Sequence, residues 1–337
     1  METKRQNLFS GLLAVRGMGA SLTAFAGLVV IYVAFGLMEP SVYSTANIAN
    51  LLRSMSKYLI VGIAQSYLLI TGNIDLSIGS VVAMSAMISG TMLSRGYPLI
   101  LALPLTLAAA LAISLINGAL VGKFKLPPFI ATLGTMFVAR GIAYMANGNR
   151  NTNALLTGMG KDKADAFQAA LYYGKTFGIY NTFWIALILF VIFFIVLSKT
   201  RTGRHIYAIG SNIDAAKMSG VNVVSTVTKA YMVSAFCSYV VGLILCAQAG
   251  MGNMEAGNMY EMYGVAAGVI GGVSPLGGQG LLLGTFMGAA VWQTLENGLN
   301  MIGAQVGIQR IVIGIIVVTA VLLDIVLRSG ILKKKKA

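Results

Sequence analysis

Groups able to do chemistry are sparse in this sequence, and their spacing argues against catalysis. Asp and Glu together number 10, and the only histidine is His205. A hydrolytic or group-transfer site needs a nucleophile and a base, or metal ligands, converging on one place. Neither a Ser/His constellation nor a His/Cys/Asp cluster is present. A proton or sodium relay would need paired carboxylates or histidines inside apolar spans, whereas Asp75, Glu296 and Asp324 are scattered and His205 sits in a polar stretch. Cys237 and Cys246 fall on one expected helix, roughly 13 Å apart along its axis, too far to bridge.

The polar stretch Lys199–Asn222, KTRTGRHIYAIGSNIDAAKMSGVN, has the makings of a docking surface between two apolar runs. Ser211 or Asn212 is placed to cap free backbone N–H groups, Asp214 falls in a first turn, and Gly220 suits a left-handed stop. These signals predict a short helix over Ile213–Ser219, preceded by Gly210. Ile213, Ala216 and Lys217 share a face by their spacing, and the small Ala215 and Ala216 would let a partner's groove approach. The plainer alternative is a surface helix that only closes a loop.

The elements that must position these residues follow from composition. Of 337 residues 57% are hydrophobic and 10% charged, with mean hydropathy +0.81, the profile of an integral membrane protein whose solvent is the lipid bilayer. About ten crossings result when runs are cut at roughly 20 apolar residues. They are Met18–Met38, Ser56–Thr71, Ile78–Ser94, Leu99–Gly122, Phe129–Asn147, Thr182–Ser198, Lys229–Ala249, Glu261–Gly272, Leu281–Asn300 and Arg310–Leu327. The expected fold is therefore an all-α polytopic membrane protein forming one domain over 1–337. Two shorter spans, ending at Thr71 and Gly272, require neighbouring protein or a water-filled cavity around their freed backbone groups.

Charge orients the chain. Lys4, Arg5, Arg16, Lys123, Lys125, Lys199, Arg201, Arg204, Lys217, Lys229, Arg328 and Lys333 to Lys336 all fall at ends that alternation puts on one side, and Lys and Arg collect on cytoplasmic flanks. Both termini and the loop 199–228 are thus expected in the cytoplasm, and the charged loop 148–181, with Lys161, Asp162, Lys163 and Asp165, outside it. The first span, without an A-x-A site, reads as a retained anchor rather than a signal peptide. Nucleic acid is excluded as a partner, because the net charge of +14 is dispersed among apolar spans instead of forming a basic face.

Polar groups inside spans are costly and hence functional candidates. Arg140, mid-span, costs about 2.5–3.5 kcal/mol on insertion scales. It is expected to face a cavity or a carboxylate, Asp75 or Glu296, as a clamp or pathway-lining group, or else to snorkel to an interface. Gln65, Ser66, Thr71, Asn117, Thr132 and Thr135 either line a path for a polar solute or tie helices together. An echo at an offset of 200 relates TGNIDLSIGS at Thr71–Ser80 to GGVSPLGGQG at Gly271–Gly280. It reads as two weakly repeated halves or as a pair of ordinary turns.

TGNIDLSIGS, with LPPFIATLGTMFVARGIAY at Leu126–Tyr144, KTRTGRHIYAIGSNIDAAKMSGVNV at Lys199–Val223 and GVIGGVSPLGGQG at Gly268–Gly280, resembles the permease subunits of ribose-type ABC sugar importers over nearly the whole chain. The resemblance implies a bacterial inner-membrane subunit that forms the translocation pathway for a monosaccharide. It implies as partners a cytoplasmic ABC ATPase, an extracytoplasmic sugar-binding protein and a second permease copy or paralogue. It makes Gly210, Asn212, Asp214, Ala215, Ala216, Ser219 and Gly220 the coupling-helix region. No cofactor is expected in this chain; ATP and Mg belong to the partner ATPase. The absence of a G-x-x-x-x-G-K-[ST] loop agrees, and LGGQG at Leu276–Gly280, despite its likeness to an ATPase signature, reads as a turn. The sequence departs from the family pattern at Asn73, where a second glycine is usual, and at Glu296, where asparagine is common. An ion-coupled secondary transporter is the alternative.

Overall fold

The computed structural model describes residues 18–329. Lys4, Arg5, Arg16 and Lys333 to Lys336, part of the expected charge asymmetry, lie outside the described residues, as do the side chains of Asp324 and Arg328. In chain order the helices are α1 (Met18–Met38), α2 (Thr45–Ile70), α3 (Ile78–Ser94), α4 (Leu99–Gly118), α5 (Pro128–Met145), α6 (Leu155–Met159) and α7 (Lys161–Gln168). There follow α8 (Asn181–Lys199), α9 (Arg201–Ser211), α10 (Ile213–Met218), α11 (Val223–Ala249), α12 (Tyr260–Ile270), α13 (Leu282–Met301) and α14 (Val306–Ser329).

Every apolar run marked out in the sequence is helical. Among the described residues, five helical stretches are long and apolar enough to cross a membrane: Ser21–Met38, Leu99–Lys123, Pro128–Met145, Asn181–Lys199 and Val223–Ala249. The bounds of α1 and α3 coincide with the expected ones. Helix α2 starts eleven residues earlier than its expected span, at Thr45, because Ser44 Oγ accepts the Asn47 N–H at 3.2 Å and nucleates a polar first half. Helix α11 starts at Val223 rather than Lys229, with Asn222 as its cap, so the polar loop is shorter than 199–228.

The region 148–181 is not a bare loop. It folds into α6, α7 and a hairpin of β1 (Lys175–Thr176) and β2 (Ile179–Tyr180), the only strands among the described residues. Phe177 and Gly178 both have positive φ, as a two-residue primed turn requires. Lys161, Asp162, Lys163 and Asp165 are exposed on α7. The Arg53 guanidinium lies 4.7 Å from the Tyr172 ring centre and 4.1 Å from that of Tyr180, pinning the first half of α2 beneath this cap.

Helix α2 is the centre of the core: Leu59 to Ile70 are all buried. It packs on α8, α11, α12 and α13, while α11 packs on α3 and α4. Small residues set these distances. A Cβ on Gly264 of α12 would stand 2.8 Å from the Val61 carbonyl oxygen of α2, and one on Gly268 3.1 Å from Ser66 Oγ. On its other side, Gly271 and Ala267 abut Gly284 and Gly288 of α13. Close approach through glycine is how helices associate where apolar burial alone gives no preference.

Candidate functional site

The segment expected to dock a partner is built as two helices at a corner. Thr200 Oγ1 caps α9, and Asn212 Oδ1 caps α10 by accepting from the N–H groups of Asp214 and Ala215 at 3.0 and 2.9 Å. Asn212, not Ser211, is therefore the cap; Ser211 closes α9. Helix α10 ends at Met218, Ser219 is its C-cap and Gly220 follows with φ +79. Lys217 and Asp214 form an exposed pair at 3.0 Å, of the kind worth little to stability.

The face presented differs from the expected one. Ala216 is only 4% exposed and points inward, so it offers no surface to a groove. Ile213, Asp214, Ala215, Lys217, Met218, Ser219 and Gly220 are exposed, Met218 to 91%. An outward methionine on a capped helix is a flexible apolar contact.

Behind this segment three pieces of chain meet. Helix α2 ends in a Schellman turn: the Gly72 N–H donates to Leu69 O and the Asn73 N–H to Leu68 O, both at 2.9 Å. Helix α12 ends identically, Gly272 to Val269 O and Val273 to Gly268 O, again at 2.9 Å. The echo at an offset of 200 is thus the same turn made twice, with Gly72 at φ +75 and Gly272 at φ +85. The end of α2 touches the stretch that follows the second turn, since the Gly278 N–H donates to Ile70 O at 2.8 Å. Tyr207 of α9 donates to Gly280 O at 2.6 Å. A cleft of about 490 Å³ opens beside this contact, lined in part by Arg204, Tyr207, Ser211 and Gln279. LGGQG is a turn, as expected.

The polar residues deeper in the helices form a network. Asp75 Oδ1 accepts the Ser77 N–H at 2.8 Å and the Ser77 hydroxyl, and Oδ2 accepts the Ser234 hydroxyl at 2.7 Å. Asn117 Nδ2 donates to Ser77 Oγ at 3.1 Å, and Thr135 Oγ1 to Asn117 Oδ1 at 2.7 Å. Tyr231 donates to Ile74 O at 3.1 Å. The α2–α3 connection is thereby tied to α4, α5 and α11. Thr132 donates to Pro128 O within its own helix, Thr71 to Leu68 O, and Ser66 shares a 2.7 Å hydrogen bond with Thr285 of α13. Gln65 stands apart: it is fully buried, and neither its amide oxygen nor its nitrogen has a partner among the described residues.

Arg140 pairs with neither expected carboxylate. Its Nη1 donates to the carbonyls of Met254 and Ala256 at 2.8 and 3.3 Å, pinning the segment between α11 and α12. Glu296 accepts from Tyr58 at 2.8 Å instead, within a cluster of Tyr58, Tyr260, Tyr263 and Trp292. Ser77, Ser234, Thr285, Tyr207 and Tyr58 are residues that sequence reasoning did not single out. Ser77 and Tyr207 lay inside quoted motifs; the rest carried no signal beyond being polar in an apolar run.

The match to known proteins covers most of the chain. Residues 47–321 match the family described as branched-chain amino acid transport system / permease component. The ribose import permease protein RbsC of Haemophilus influenzae is 35% identical over 301 residues, 89% of this chain and 92% of that one. RbsC of Bacillus subtilis is also 35% identical, over 91% of this chain and 94% of its own. The D-allose transport system permease protein AlsC of Escherichia coli is 30% identical, over 88% and 89%. No solved structure matches the chain.

Proposed function

The chain belongs to the branched-chain amino acid transport system / permease component family, and on that premise we propose that it is the membrane-spanning subunit of an ATP-driven importer of a monosaccharide. Relatives named for ribose import and D-allose transport support the sugar class. The observation that carries the coupling half of the reading is the seat of α10: a capped helix presenting Ile213, Lys217 and Met218 outward while its supporting helix α9 is fixed to the core through Tyr207. Such a helix suits a cytoplasmic ATPase groove.

In this reading the chain crosses the inner membrane of a bacterium ten times, through α1 to α5, α8 and α11 to α14, with both termini and α9–α10 in the cytoplasm. The cap made by α6, α7 and the hairpin then faces outward, where a sugar-binding protein would land, and a second copy or paralogue completes the pathway. ATP and Mg act in the partner. The residues of the Asp75 network, with Ser66, hold helices together, while Thr71 and Thr132 bond within their own helices; Arg140 and Glu296, half-buried towards the opposite end from α10, stand nearer the solute's entry.

The test is labelled-monosaccharide uptake into proteoliposomes holding this chain, its ATPase and its binding protein. Uptake that needs all three and hydrolysable ATP is expected. Uptake by this chain alone, driven by an ion gradient, would replace the reading with that of a secondary carrier.

A further inference from the structure

Helix α10 is continuous in the chain with α8 and α11, yet its support reaches helices remote in sequence. Gly210, one turn before α10, has no room for a side chain: a Cβ there would overlap the Ile70 carbonyl oxygen and meet the Gly278 nitrogen. A Cβ on Gly277 would stand 2.7 Å from the Gly210 carbonyl oxygen and 3.1 Å from Gly72 Cα. One on Gly278 would stand 2.9 Å from Ser211 Cα. The end of α9, the turn that closes α2 and the turn that follows α12 therefore meet through main-chain atoms. The Gly278–Ile70 hydrogen bond and the Tyr207–Gly280 hydrogen bond hold them in register.

We propose that this three-glycine junction is the joint through which displacement of α9–α10 reaches the membrane helices: it moves α2 and α12 together, with Tyr207 as a positioning residue. The proposal rests on α10 being the ATPase-docking helix. A main-chain seat has no side chain to rotate out of the way, so a shift on one side displaces the other. The covalent exit towards α11 is a poorer conductor, because Ser219, Gly220 and Asn222 are exposed and Gly220 is in the left-handed region. Helices α2 and α12 are bound to each other at Gly264 and Gly268, and the Ser66–Thr285 hydrogen bond ties α2 to α13. A push at the junction thus reaches the wholly buried second half of α2, Leu59 to Ile70.

The experiment uses the full transporter, wild type, Tyr207→Phe and Gly277→Ala, with spin labels at Met262→Cys on α12 and Ile100→Cys on α4, both exposed. Wild type is expected to change the label separation when a non-hydrolysable ATP analogue binds. Tyr207→Phe, which deletes one hydroxyl, should shrink that change and raise ATP consumed per sugar by roughly five-fold, the scale of one lost hydrogen bond. The apparent KM for sugar should stay unchanged. Gly277→Ala should act in the same direction and more strongly. A wild-type separation indifferent to nucleotide, or an equal change in wild type and Tyr207→Phe, overturns the joint. Should wild type show no ATP-dependent uptake, it is the importer reading that fails instead.

Discussion

The Ser234 hydroxyl on α11 donates a 2.7 Å hydrogen bond to Asp75, 159 positions away in the connection between α2 and α3. With Ser77 on the other carboxylate oxygen, Asp75 accepts only from neutral donors among the described residues. Replacing Asp75 by Asn turns one acceptor into an NH₂ group facing donors. We expect Asp75→Asn and Ser234→Ala each to cost about 1–3 kcal/mol, the range for stranding a buried polar group, read as a lowered unfolding temperature in detergent. Unchanged unfolding in both would mean that the network does not hold these helices.

Arg140 holds two carbonyls of the segment between α11 and α12. Arg140→Met should release it at a cost of about 1.5–3 kcal/mol, as for hydrogen bonds to charged groups. Hydrogen exchange at residues 254–256 should accelerate, while exchange around Asp75 stays as it was.

At Gly264 the α2–α12 spacing is set by the absence of a side chain. Gly264→Val should cost about 1–3 kcal/mol or more by overpacking, seen as loss of monodisperse protein. Gly134→Val is the matched control, since nothing among the described residues lies within 4 Å of a Cβ there; similar losses in both variants would refute the packing argument.

On α10 the inward Ala216 and the outward Met218 should behave oppositely. Met218→Asp should weaken binding of the ATPase subunit at least ten-fold, in the range of interface hot spots, with an unchanged unfolding temperature. Ala216→Leu should lower the unfolding temperature first. Equal ATPase binding by Met218→Asp and wild type would remove α10 from the contact.

Much of the helical plan was legible because hydropathy and caps act locally: α1 and α3 end where the sequence places their ends. The first half of α2 was not, since Asn47, Asn50 and Arg53 dilute its hydropathy and the reasons they are tolerated lie elsewhere, in Asn297 and in the rings of Tyr172 and Tyr180. Asn212 and Gly220 were readable as the ends of α10. The inward turn of Ala216 was not, because a six-residue helix has no periodicity long enough to assign its faces. Arg140 was readable as needing a partner, but the partner is main chain, which every residue carries and no pattern marks. Ser234 joins Asp75 only through the tertiary fold.

Helix α10 separates two demands that usually compete. On the proposed reading, what would recognise an ATPase is side chain, on Ile213, Lys217 and Met218; what anchors the supporting helix is largely main chain, at Gly210 and Gly278. A cell holding several importers needs each permease to choose its own motor. Here the address can be rewritten one surface residue at a time without retuning the machinery beneath it, so exchanging the outward residues of α10 between two permeases should exchange their motors.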